Sequence, residues 1–107
     1  MANVESKDLE GIVLKIAARR QPIEGSTRLY HDLRISGDDA FELIDKIGKD
    51  FGTKFEGFKW DTYFPNESEA LFSHILRIFG GGKKFRPLTF DHLLNVVRTG
   101  YWFEPPA

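Results

Sequence analysis

Apolar residues recur at helical spacing in four stretches of the chain, separated by glycine, proline and aromatic-rich segments. Leu9, Ile12, Val13 and Ile16, continued by Arg20, follow the i, i+3, i+4, i+7 rhythm of one buried stripe. Ser6 is placed to cap this helix, Asp8 suits its positive first turn, and Arg19-Arg20 suit its negative end before Pro22. The pattern predicts a helix over 6–20. In the second stretch Ala40, Leu43, Ile44, Ile47 and Phe51 point inward, and Asp38, Glu42, Asp45 and Lys49 point outward. This predicts a helix over 37–51, closed by Gly52. Its start, Ser36-Gly37-Asp38-Asp39, is like a capping box, so the Ser36 hydroxyl is expected to accept from the amide of Asp38 or Asp39. Gly37 eases the sharp bend into the helix. Leu71, Ile75, Ile78 and Phe79 predict a third helix over 67–79, ended by Gly80-Gly81-Gly82. A fourth, over 89–101, is capped by Thr89 and buries Phe90, Leu93, Leu94, Val97 and Tyr101.

Between these lie a loop opened by Gly25-Ser26-Thr27, whose Leu29 and Leu33 can plug a bundle, and an aromatic connection over residues 53–66. Phe55, Phe58, Trp60, Tyr63 and Phe64 are too many rings for a free linker. Phe58 and Trp60 alternate with Lys59 and Asp61, which fits a short extended segment lying on the bundle. The tail Tyr101-Trp102-Phe103 is core if it folds back and an interface if it stands exposed. The expected core is Leu9, Ile12, Val13, Ile16, Leu33, Leu43, Ile44, Ile47, Leu71, Ile75, Ile78, Leu94 and Val97. The architecture expected is a single all-α domain over 1–107, a four-helix bundle with the aromatic connection between helices two and three.

Composition narrows the function classes. The net charge of −1 offers no global attraction for nucleic acid or an anionic membrane surface. Cysteine is absent, which excludes disulfides, thiolate catalysis and cysteine-ligated metal. No run approaches the ~18 apolar residues of a membrane span, and Met1-Ala2-Asn3-Val4-Glu5 lacks a signal core, so a cytoplasmic location is expected.

Candidate chemistry is sparse. Gly80-Gly81-Gly82-Lys83-Lys84 lacks the Ser or Thr of a phosphate loop and follows no strand, so it reads as a helix terminator. The cations Lys83, Lys84 and Arg86 beside Phe85 are too few to indicate RNA. His31, His74 and His92 share no metal-ligand spacing and no nucleophile elbow accompanies them, so neither a catalytic residue nor a metal ligand is assigned. The acidic face of the second helix is the better candidate, with Glu42 and Asp45 each able to pair with a lysine four residues on.

The stretch Asp32-Leu33-Arg34-Ile35-Ser36-Gly37-Asp38-Asp39-Ala40-Phe41-Glu42-Leu43 resembles the centre of acyl and peptidyl carrier proteins, where D-L-G-x-D-S-L leads into a helix carrying E-L. The carrier serine lies five residues after the Asp and five before the Glu. Asp32 and Glu42 both point to position 37, which is glycine. Pro87-Leu88-Thr89-Phe90-Asp91-His92-Leu93-Leu94 is similar to the closing carrier helix. The pattern I-S-G-D-D-A-x-E-L is also similar to a family of small bacterial cytoplasmic proteins of unassigned function. The resemblance implies an acyl-carrier-like bundle without the phosphopantetheine arm, non-enzymatic and without cofactor. It implies a protein-interaction or regulatory module, monomeric or weakly dimeric, that docks a partner's basic patch through Asp38, Asp39, Glu42 and Asp45. No nucleic-acid or membrane partner is implied. The alternative is a genuine carrier bearing 4′-phosphopantetheine at the offset Ser36.

Overall fold

The computed structural model describes residues 6–20, 22–65 and 84–106. The helix expected over 67–79, with Leu71, Ile75 and Ile78, lies outside the described residues, as does His74. Within them the chain is mostly helical, with four helices and no strand. None of these helices is long and apolar enough to cross a membrane.

Helix α1 (Ser6–Ala17) buries Leu9 and Val13 and packs on α2 (Gly37–Phe51). It ends before Arg20, where sequence placed its end, because Ala18 takes a left-handed conformation (φ 55°). The Ala18 amide then donates to the Lys15 carbonyl (3.2 Å) and the Arg19 amide to the Leu14 carbonyl (2.9 Å). These are the two bonds of a Schellman motif, so the backbone itself stops the helix well before Pro22. Helix α2 has the expected bounds and buries Ala40, Leu43, Ile44 and Ile47. Ile12, Ile16 and Leu33 are half-buried, packed on the rim of the core.

The loop between α1 and α2 is ordered by backbone bonds to the approach of α4 (Phe90–Thr99). The Leu29 amide donates to the Leu88 carbonyl (2.9 Å), Phe90 to Thr27 (2.8 Å) and Asp91 to Gly25 (2.9 Å). A Cβ on Gly25 would run into the Asp91 carboxylate, so a larger residue there makes that side chain swing away. Leu29 and Ile35 are thereby drawn fully into the core. Thr89 caps α4 as expected, its hydroxyl accepting from the His92 amide (3.2 Å).

The aromatic connection is not extended over Phe58–Asp61. Residues Trp60–Tyr63 form one helical turn, α3, with the Phe64 amide bonded to the Trp60 carbonyl (2.9 Å). An extended segment needs a neighbouring edge to satisfy its amides. Among the described residues of this connection the bridge is at Lys54, which pairs in parallel with Tyr101: its amide donates to Gly100 (3.0 Å) and its carbonyl accepts from Trp102 (2.7 Å).

That pairing starts a C-terminal strap. Trp102 is 8% exposed, with its ring centroid 4.7 Å from Phe58, 5.4 Å from Tyr63 and 5.5 Å from His92, each edge to face. His92 Nε2 meets the Phe103 carbonyl at 2.8 Å. The three tail aromatics therefore divide: Trp102 is core, Phe103 is half-buried and Tyr101 is exposed.

Candidate functional site

At the start of α2, Ser36 occupies the N-cap position with extended backbone, but its hydroxyl makes no capping bond. Gly37 explains the departure from expectation. It takes a left-handed conformation (φ 54°), and its amide donates to the Pro65 carbonyl (3.0 Å). The bend sets the side chain of Ser36 off the first amides of the helix. Only its carbonyl joins α2, accepting from Asp39 (3.1 Å) and Ala40 (3.4 Å). The expected hydroxyl cap is therefore absent.

The four carboxylates expected to dock a partner are all exposed, but they do not form one uniform face. At about 100° per residue, Asp38, Glu42 and Asp45 fall within a strip roughly 60° wide, and Asp39 stands about 100° from Asp38. Asp45 pairs with Lys49 (2.9 Å), as its spacing predicts. The expected Glu42–Lys46 pair does not form, because Lys46 bonds to Asp50 (3.0 Å). Asp38 and Glu42 have no ion-pair partner among the described residues. On one side of the strip an open groove of about 720 Å³ runs between α1 and α2, lined by Ile12, Ile16, Lys15, Glu42 and Lys46.

The other side carries Phe41, which sequence reasoning did not single out, and Trp60, which it placed only in a segment lying on the bundle. Phe41, 62% exposed, stacks on Trp60, 36% exposed, with centroids 5.8 Å apart and planes at 24°. Phe41 lies outside the inward stripe of α2, and an apolar ring on a polar face was the available signal. Trp60 is held edge to face by Phe58 (5.0 Å).

The remaining candidate residues serve the fold. Asp32 closes the turn before α2, accepting from the Arg28 amide (2.8 Å), Nε (3.1 Å) and Nη2 (2.9 Å). The side-chain bonds from Arg28, then the amide bond, hold its carboxyl at about 2. Arg86 belongs to the strap, not to a basic surface: it pairs with Glu104 (3.4 Å), and Glu104 also accepts from the Tyr63 phenol. Burial, then the bond to Glu104, pushes the Tyr63 phenol up to about 12, and that same bond holds the Glu104 carboxyl below its usual range. Both groups thus keep one protonation state across neutral pH, which suits a latch and not proton transfer. Among the described residues no three His, Asp or Glu side chains are grouped to hold a metal.

No curated protein and no solved structure matches the chain. A family profile matches residues 4–104, and it is not that of an acyl carrier protein family. The carrier resemblance, carried by spacing around a position with no serine, is thereby overturned as a family assignment. The chain belongs to the family described as Protein of unknown function (DUF1493).

Proposed function

We propose that this protein is a non-enzymatic protein-interaction module that docks a basic surface of a partner through the outer face of α2. The reading is supported chiefly by the exposed strip in which Asp38 and Glu42 stand without ion pairs among the described residues, next to Asp45. Asp38 lies in the positive first turn of α2, and both exposed carboxylates leave their field directed outward at little cost to the fold. The architecture that goes with this reading is a four-helix bundle in one domain, with α1, α2 and α4 as three of its members. A cytoplasmic location and a monomeric or weakly dimeric state belong to the same proposal.

The test is partner capture from native lysate by the wild type and by a variant carrying Asp38→Lys and Glu42→Lys together. Capture by the wild type should weaken as salt rises, because the contact is screened. It should be lost in the variant, whose melting temperature should stay close to wild type because both side chains are exposed. Equal capture by both proteins refutes the reading.

A second reading has one observation in its favour. The Ser36 hydroxyl is not engaged in capping, so it is free to carry a 4′-phosphopantetheine arm. Incubation with a phosphopantetheinyl transferase and coenzyme A, followed by intact-mass measurement of wild type and Ser36→Ala, decides it. The docking reading expects no mass gain in either protein. A gain of one arm in the wild type alone establishes the alternative.

A further inference from the structure

We infer that the Phe41–Trp60 stack, together with the carboxylates beside it, forms an arginine-reading surface. The partner segment that docks on α2 would then be arginine-bearing rather than merely basic. The inference rests on the docking reading above and names the chemistry of its partner.

Phe41 lies about 60° around α2 from Asp38 and about 40° from Asp45, so the ring forms one wall of the acidic strip. Its inner face is covered by Trp60, and 62% of the residue remains open to solvent. Trp60 is itself held by Phe58, which packs on Tyr63 at 5.6 Å in the core. The exposed stack therefore stands on a rigid base, so little side-chain freedom is lost when a partner covers it.

An apolar plate beside unpaired carboxylates meets two demands at once only in a planar cation. A guanidinium can lie flat on an aromatic face while its edge donates to a carboxylate. An ammonium satisfies the charge, but it is compact and strongly hydrated and gains less from the ring. Lysine is also the residue already paired within this helix, at Lys46 and Lys49. Of the four carboxylates, Asp38 is best placed to complete the site, because it has no ion pair among the described residues and lies on the Phe41 side. Asp39, on the far shoulder, lies outside it.

The experiment uses two matched amphipathic peptides, identical except that every basic position is arginine in one and lysine in the other. Binding to the full chain is followed by the indole N–H resonances of Trp60 and Trp102 and by titration at low and moderate salt. The arginine peptide should bind about fivefold more tightly and should shift the Trp60 resonance while leaving buried Trp102 in place. Phe41→Ala should bring the arginine peptide down to the affinity of the lysine peptide, without changing the melting temperature. Asp38→Lys should weaken both peptides. Equal affinity of the two peptides, both lost on charge reversal, overturns the arginine inference and leaves the docking reading standing. Binding of neither peptide at low salt also overturns it, and the lysate capture then judges the docking reading separately.

Discussion

Replacing Trp102 by alanine should be among the most damaging single changes in the strap, and the damage can be sized. The side chain is 8% exposed and makes edge contacts with Phe58, Tyr63 and His92, and its Nε1 donates to Glu104 (3.4 Å). Truncating a buried tryptophan costs about 3–5 kcal/mol, combining lost transfer free energy with the cavity left behind. A domain of this length has roughly 5–16 kcal/mol of stability in all. The unfolding entropy of such a chain is about 0.22 kcal/mol/K, so the loss corresponds to a melting temperature lower by about 13–22 °C. The internal control is the adjacent Tyr101, 58% exposed, where alanine should cost under about 0.5 kcal/mol, or roughly 2 °C. Thermal and urea melts followed by far-ultraviolet circular dichroism test both. An unchanged urea m-value identifies a cavity in an otherwise docked strap, whereas a reduced one means the tail has detached from the native state. A fall under about 5 °C for Trp102→Ala, or equal losses at the two positions, refutes the assignment of the strap to the core.

The strap should also show two pH limits. Glu104 has a depressed folded pKa, so its contribution is present above the ordinary carboxylate range and is lost as pH falls through the folded value; Tyr63 is raised to about 12, so its contribution is present below pH ~10 and is lost as pH rises toward 12. Urea midpoints across pH should therefore converge for wild type and Tyr63→Phe in strong acid. Between pH ~10 and 12 the wild type should lose more stability than Tyr63→Phe, because the lysines titrate alike in both; parallel curves throughout would exclude the latch. Capping supplies a paired test. Thr89→Ala should cost about 0.5–2 kcal/mol because its hydroxyl closes α4, and Ser36→Ala should cost under about 0.5 kcal/mol because its hydroxyl does not close α2. Equal costs in chemical denaturation would contradict the geometry at Ser36.

What was legible in the sequence follows from how local each signal is. The bounds of α2, the stripe Ala40, Leu43, Ile44 and Ile47, and the Thr89 cap depend on residues a few positions apart, and each appears as expected. The end of α1 was not legible, because alanine in a left-handed conformation leaves no mark in the sequence. Nor was the failure of the Ser36 cap, since the bend at Gly37 is tied to the distant Pro65 carbonyl. The alternation at Phe58–Asp61 suggested an extended segment, but the rings sort by tertiary packing: Phe58 goes to the core and Trp60 to the stack with Phe41. The outward, exposed placement of the α2 carboxylates was legible from the pattern. The aromatic wall beside them was missed because Phe41 and Trp60 are brought together by the fold alone.

The carrier-like spacing has a physical explanation that requires no carrier. Asp32, four residues after Arg28, is the acceptor that closes the Arg28–Asp32 turn. Leu29 and Ile35 anchor either end of that turn in the core, which spaces the turn from the helix that follows. Arg34 (φ 61°) and Gly37 (φ 54°) then redirect the chain into α2. Glycine is the residue that adopts such a conformation freely, and a serine at position 37 would meet a penalty of about 1–2 kcal/mol from its Cβ. The missing hydroxyl is thus a demand of the local backbone. A turn closed by an aspartate, a core leucine or isoleucine, and a sharp helix start recreate the letters around the attachment point. They leave out the serine at position 37, and with it the part of the motif that would have identified a carrier.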